Sequence, residues 1–380
     1  MEDSLEFLDR METLGKGFAL KTAEQDQNDA FVAENYVALK QAKIPSALIP
    51  KELGGGGIPH SVMCQALRRL ARHCGSTALS LSMHMHLTAL QVYNHLQGKP
   101  TRAFLEKSAQ NQLLLVTTGA NDWLSSNGNA EKVEGGFRVT ARKGFASGSP
   151  VADFLLTSSP YLDPVAGWQV IHFALPTNTP GLRFIQDWKT MGMRGTGSNS
   201  LELEQVFVPE ASVTVRRPRG AFHPLFGIIV TLACPLIASV YTGLAEEAAA
   251  VGREMANRRP PDPGTAFLLG EMENALTTAQ LAADNMVALA NDYGFQPTPE
   301  LASKILVRKT LAVNAALATA EKAMEASGGA GFFRRSPLER ILRDAHAGQF
   351  HPLTEKRQHL FTGRLALGLE AVEPVEFPKV

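Results

Sequence analysis

Cysteine is scarce in this chain. Only Cys64, Cys74 and Cys234 occur, an odd number with no metal-ligand spacing. They read as small buried hydrophobes in a reducing compartment, and they offer no cysteine-built metal site. Charge of one sign is missing too, since 37 basic side chains balance 37 acidic ones. The chain therefore has no electrostatic reason to seek nucleic acid or an anionic membrane. A signal-peptide pattern is absent from the acidic start, Met1-Glu2-Asp3-Ser4. The longest apolar run, residues 227–240, contains Pro235 and falls short of the roughly twenty residues that span a bilayer. No internal repeat, heptad array or low-complexity tract is visible. The expectation is a cytoplasmic protein with no metal.

What is present is an ordinary globular composition, 44% hydrophobic, over 380 residues, enough for several cores. Residues 1–111 are helical in pattern, with a glycine turn at Gly54-Gly55-Gly56-Gly57 and a break near Gly75. Residues 112–215 change character. Leu113-Leu114-Leu115-Val116-Thr117 has a buried-strand pattern, Phe137-Arg138-Val139-Thr140 alternates, and Glu134-Gly135-Gly136 marks a hairpin. Further strands are predicted at 154–157, 168–173 and 201–208. From Pro224 the chain is helical again, with alanine-rich segments at 244–258, 266–288, 300–326 and 338–345 and a three-proline loop at 258–264. The fold class is α+β: a helical domain (1–111), a β domain (112–215) and a helical bundle (216–380).

The most informative stretch lies near the C-terminus. Gly328-Gly329-Ala330-Gly331-Phe332-Phe333 allows close backbone approach, because glycine carries no Cβ. Ser336-Pro337-Leu338-Glu339-Arg340-Ile341-Leu342-Arg343-Asp344 then starts an amphipathic helix at a proline and ends it in an Arg-Asp pair. Together these resemble the C-terminal signature of the acyl-CoA dehydrogenase superfamily of flavoenzymes. Pro50-Lys51-Glu52-Leu53-Gly54-Gly55 resembles the turn of its N-terminal domain. Met191-Gly192-Met193-Arg194-Gly195-Thr196-Gly197-Ser198, followed by Val206-Phe207-Val208-Pro209, resembles its middle-domain loop and strand. The resemblance reaches from the N-terminus to about residue 368.

The resemblance implies the family's three-layer plan of helical domain, β-barrel or sheet domain and helical bundle, with a flavin, FAD or FMN, as cofactor. In Lys143-Gly144-Phe145-Ala146-Ser147-Gly148-Ser149 it implies that Phe145 covers one flavin face and Ser147 bonds its edge. It places cofactor contacts also at Thr117, Arg259, Gly328, Gly329 and Thr354, with Arg259 matched to a pyrophosphate-binding arginine of a neighbouring subunit. Ser82 and Arg194 become candidate substrate contacts, although a structural arginine would serve equally at 194. Two departures touch the dinucleotide half: Pro260-Pro261-Asp262-Pro263-Gly264 replaces the usual Thr-Phe-Gly, and Glu325 replaces a glutamine. The family also implies a homodimer or homotetramer.

A dehydrogenase of this family removes a proton α to a thioester, a task for a carboxylate at the flavin. The two positions used in the family fall here on Pro352 and Ala233, neither of them acidic. His351 adjoins the first, and His84 and His86 sit in Ser82-Met83-His84-Met85-His86. This resembles the dibenzothiophene monooxygenase branch, which takes reduced flavin from a partner reductase and turns histidines of both regions toward the flavin. An imidazole titrates near neutrality and can exchange that proton. Residues 84 and 86 point to different sides of one helix, and sequence leaves the choice open. Two chemistries stay in play, dehydrogenation of an acyl-CoA thioester with another base, and oxygenation of a small substrate. A non-catalytic binding protein that kept the fold is the third reading.

Overall fold

The structure is a computed structural model that describes residues 4–119, 122–260, 262–373 and 375. Five helices open the chain: α1 (Ser4–Gln27), α2 (Ala33–Gln41), α3 (His60–His73), α4 (Gly75–Leu96) and α5 (Arg102–Asn111). Met63, Cys64, Leu67, Leu70 and Ala71 recur at helical spacing along α3, and that stripe is the face it buries. Helix α4 is buried on nearly all sides, because it packs against α3, α6 (Pro224–Asn257) and the first strand.

Among the described residues eight strands follow: β1 (Leu115–Thr117), β2 (Asn129–Val133), β3 (Gly136–Ala146), β4 (Phe154–Asp163), β5 (Gly167–Pro176), β6 (Leu182–Ile185), β7 (Asn199–Pro209) and β8 (Val213–Pro218). They form two four-stranded sheets, ordered β1-β4-β5-β8 and β2-β3-β7-β6. All pairings are antiparallel except β1 with β4. Alternate residues of both sheets, among them Val139, Leu155, Ile171, Leu201 and Val206, interleave in one apolar core. The Gly135-Gly136 hairpin expected from sequence joins β2 to β3, and Gly135 takes φ +75° there. Strands β2 and β6 carried too little alternation to be read in advance, and the alternation of β8 is masked in sequence because its most buried position is Arg217.

The chain closes with α6, α7 (Pro263–Ala290), α8 (Pro299–Ser327), α9 (Pro337–His346) and α10 (Glu355–Ala366). Four of these start alike. His223, Asp262, Thr298 and Ser336 each accept a backbone N–H of the first turn, and Pro224, Pro263, Pro299 and Pro337 follow. The side chain caps an orphan donor while proline supplies the helical φ. The proline loop is as expected, with α6 ending at Asn257 and Asp262 capping α7; Pro261 lies outside the described residues, as do residues 374, 376 and 377 of the C-terminal tail.

The apolar run at 227–240 turns out to be part of a longer element. Helix α6 has 34 residues, long and apolar enough to cross a bilayer, but 89% of its most apolar window is buried against protein. It is a core helix. Gly243 lets it approach α3 closely, since a Cβ there would meet the Arg68 carbonyl oxygen at 2.2 Å. Exposed Gly270 on α7 has open space where a Cβ would stand. We therefore expect Gly243→Ala to cost about 1–3 kcal/mol through overpacking, and Gly270→Ala to gain about 0.5–1 kcal/mol through helix propensity. Denaturant unfolding of both variants checks the pair, and equal effects would remove close packing as the reason for Gly243.

Candidate active site

One cavity of about 1020 Å³ opens between the helical layers and the sheets. Helix α4 contributes Leu79, Met83 and His86 to its wall, and α6 contributes Phe226, Ile229 and Ala233. The sheet side contributes Thr117, Phe145, Ser147 and His172. Loop 347–352 brings Phe350, His351 and Pro352. The surface is mainly apolar, with a few polar groups converging on it, as ligand sites usually are.

Phe145 is placed by a break in the sheet. The register of β3 on β7 shifts between Lys143 and Ala146, so the strand bulges where Phe145 sits. Its φ is +62°, a strained value for a bulky residue, and its ring is 48% exposed instead of packed. Trp188 braces it edge-on, with centroids 5.9 Å apart. Two residues on, Ser147 Oγ lies 2.7 Å from Ser198 Oγ, which in turn pairs with Thr196 Oγ1 at 2.7 Å. An aromatic face held toward a cavity, with a hydroxyl relay at its edge, fits a flat heteroaromatic ring such as isoalloxazine. Thr117 reaches the same space from the end of β1.

His351 is bonded to Tyr241 of α6, with Nε2 to Oη at 2.8 Å and the rings 5.5 Å apart. Burial pushes the His351 pKa down to about 3, and the Lys309 ammonium and His86 add to the effect. Tyr241 is fully buried and stays a phenol, its pKa raised by desolvation. Lys309, 2% exposed on α8, donates to the His351 and Leu353 carbonyls at 2.8 and 2.9 Å. This buried ammonium clamps the turn that carries the imidazole. His86 also lines the cavity; its pKa is pushed down to about 4, chiefly by burial, and its Nδ1 has no partner in hydrogen-bond geometry. Both histidines are therefore neutral near pH 7.

Other expected site residues lie elsewhere. His84 is a structural residue: its Nδ1 accepts from the Leu115 amide at 3.0 Å and its Nε2 donates to the Pro45 carbonyl at 2.8 Å. The choice left open between 84 and 86 falls on 86, because α4 turns the two rings apart. Ser82 is fully buried and donates back to the Leu79 carbonyl at 2.7 Å. Arg194 stitches its loop to the end of α1, donating to the Thr190 carbonyl at 3.0 Å with the Asp29 carboxylate at 3.6 Å. Thr354 is an exposed residue at the start of α10, outside the cavity lining. Arg259 packs on Gly328, where a Cβ would meet its Nη1 at 2.8 Å, and it donates to the Ala326 carbonyl. This cluster and Gly329 lie outside the cavity lining.

Sequence reasoning missed Tyr241, Lys309, Trp188, His172 and Arg343. Lys309 had a usable signal: it interrupts the apolar stripe Ala302, Ile305, Leu306, Val313, Ala316 of α8. Arg343 lines the cavity while paired with Asp26 at 2.6 Å and Glu339 at 2.8 Å. Among the described cavity-lining residues the one carboxylate is Asp122. It is tied to Lys143 at 2.6 Å and Thr118 at 2.7 Å. Among the described residues no group of histidine, cysteine or acidic side chains is placed to hold a metal.

Comparison with known proteins fits this geometry. Residues 2–112 match the family model "Acyl-CoA dehydrogenase, N-terminal domain", and residues 236–356 match "Acyl-CoA dehydrogenase, C-terminal domain". The two matches take in more than half of the chain, and it belongs to the acyl-CoA dehydrogenase superfamily of flavin-dependent oxidoreductases. It is 28% identical over 366 residues to YdbM, an unproven acyl-CoA dehydrogenase of Bacillus subtilis (strain 168), covering 91% of this chain and 93% of that one. It is 27% identical over 384 residues to dibenzothiophene monooxygenase of Rhodococcus erythropolis, covering 89% and 88%. The solved structure of KijD3 in complex with FMN and a dTDP-linked amino sugar superposes with a TM-score of 0.88 at 22% identity, covering 97% and 94%. That likeness establishes the fold.

The depressed histidines carry a stability consequence. In an unfolded chain a histidine takes up a proton near 6.5, whereas His84 and His86 do so near 4 and His172 and His351 near 3. Below pH 6.5 the unfolded state binds more protons, so this stabilisation is complete above 6.5 and declines as pH falls toward 4. Asp344, raised to about 6 by burial, and Glu247, also raised by burial, oppose the trend, while burial lowers His60 and His223 in the same sense as the other four histidines. We expect the denaturant midpoint to fall steadily from pH 7 to pH 4.5. A flat midpoint over that window would contradict buried neutral imidazoles.

Proposed function

We propose that this chain is the oxygenase component of a two-component flavin system, acting on a small aromatic or sulfur-containing substrate. One observation carries the reading. The two positions where the family's dehydrogenases keep their carboxylate, here Pro352 and Ala233, both face the cavity and neither can abstract a proton. Asp122, the carboxylate described in the lining, already accepts from Lys143, Thr118 and Ser126, so its oxygens are engaged within the protein. Neutral His351 and His86 stand at the same wall.

When bound, reduced flavin, FMN or FAD, would supply the electrons that activate molecular oxygen. The chain's own groups do the rest. Phe145 covers one ring face, and Ser147 and Thr117 offer hydroxyls to the edge. His351 keeps Nε2 in its hydrogen bond with the Tyr241 phenol, which leaves Nδ1 as the nitrogen that holds or returns a proton. Because its pKa is depressed to about 3, it acts as a neutral donor and acceptor across the physiological range. Lys309 fixes that imidazole through the backbone. Apolar side chains of α4 and α6 keep bulk water from the reacting centre. Arg259, Gly328 and Gly329 would serve the phosphate end of a flavin completed by a neighbouring subunit. The reading includes a cytoplasmic homodimer or homotetramer and a flavin reductase as partner.

Anaerobic titration of the flavin-loaded protein with acyl-CoA thioesters should leave the oxidised flavin absorbance unchanged. Adding a reductase, NADH, oxygen and a candidate such as indole or dibenzothiophene should give an oxygenated product. Bleaching by a thioester would replace this reading with dehydrogenation through another base. His351→Ala should keep the fold and flavin affinity and lower turnover by about 100-fold or more. Unchanged turnover would take His351 out of the mechanism.

A further inference from the structure

One buried group behind the cavity wall remains unaccounted for. Arg217, on β8, is 1% exposed. Burying a guanidinium is costly unless a carboxylate meets it. Among the described residues Arg217 forms no ion pair, and its Nη2 has no hydrogen-bond partner. Asp122 supplies a distant compensating field, but its Oδ1 is held by Lys143. Nη1 donates to the Leu124 and Pro218 carbonyls, and the guanidinium lies over the Phe226 ring at 4.6 Å. The side-chain group that Arg217 does bind is His172, with Nε to Nε2 at 2.9 Å.

That bond fixes a tautomer. An arginine N–H can only donate, so His172 Nε2 is the bare acceptor nitrogen. The proton of the neutral ring then sits on Nδ1. His172 lies on β5, with Ser158 of β4 and Val215 of β8 directly opposite, and all three line the cavity. Among the described residues Nδ1 makes no hydrogen bond and is not enclosed, so its N–H is offered to the cavity. The guanidinium behind the ring draws electron density toward itself and strengthens that donor. Around it the wall is apolar and aromatic, with Trp123, Phe173 and Phe226.

We infer that His172 is the specificity-determining donor of the substrate cavity, its Nδ1–H bonding an oxygen acceptor of the substrate, with Arg217 as the positioning residue that holds the tautomer. The preferred substrate is a compact, largely apolar molecule bearing a carbonyl-type or anionic oxygen, and a cationic one is rejected. This rests on the proposed function only in taking the cavity as the substrate site.

Binding tests it without turnover. Acetophenone and α-methylstyrene share a shape and differ in C=O against C=CH2. By calorimetry the wild-type protein should bind acetophenone about tenfold more tightly. His172→Phe should abolish that preference while α-methylstyrene still binds. Arg217→Met should abolish it too and move the imidazole proton to Nε2 in the two-bond nitrogen–proton spectrum of histidine-labelled protein. Arg217→Lys should restore both. Equal binding of the two ligands by wild type, no binding of either, or a preference that survives in His172→Phe overturns the inference. Flavin affinity and reductase-dependent oxygen uptake on the same preparations report on the oxygenase reading by themselves.

Discussion

Helix α6 runs through the middle of the C-terminal half with almost no surface to offer water. Its neighbours α3, α4, α7 and α8 must cover it, and that demand fixes where each of them lies. Glycines at 243 and 252 let two of them in close, against Arg68 on one side and Ala323 on the other. The apolar side left over, from Phe226 to Ile237, becomes a wall of the cavity. A single hydrophobic element thus serves as core spine and as site lining. Its Tyr241 hydroxyl is spent on His351, which lines that cavity. The shape of the pocket follows from the packing of this helix, so core and site are difficult to alter separately.

Around that wall the protein has sunk three cations. Lys143 answers to Asp122, Lys309 answers to two carbonyls, and Arg217 answers mainly to an imidazole. Among the described residues only the first has a carboxylate in contact. Desolvation of such groups opposes folding, and their persistence marks places where position matters more than stability. They also act on their neighbours. Lys309 disfavours a charged His351, and Arg217 and Lys143 disfavour a charged His172. The result is a set of imidazoles that remain neutral and keep a lone pair and a proton in fixed places.

Much of the plan was legible in the residues. Periodicity gave α3, α4, α8 and α9, and Pro337 marked the start of α9. The glycine cluster and the loop at 191–198 pointed to the family, and five of the candidate residues, Phe145, Ser147, Thr117, His86 and His351, line one cavity. The misses have physical causes. Short edge strands such as β6 have few residues with which to show alternation. His84 and Ser82 lie on a helix buried all round, where no polar face tells pocket from core. Arg194 is taken up by backbone carbonyls of its own loop, contacts that sequence spacing does not report. Lys309 and Arg217 came from distant segments, and only tertiary packing brings them to the histidines they hold.

His84 ends up with a different task from the one its motif suggested. Its ring takes the Leu115 amide on one nitrogen and gives a proton to the Pro45 carbonyl on the other. It therefore rivets three separate pieces of chain, the loop before α3, the helix α4 and the first strand, at the back of the cavity. An activity screen would score its loss as loss of a catalyst. The true injury would be mechanical, a sheet free to slide against its helices, carrying Thr117 out of alignment with His86 across the cavity. Two histidines two positions apart in one motif divide the work, one as fastener and one as cavity-facing side chain, and the division is set by a half-turn of helix.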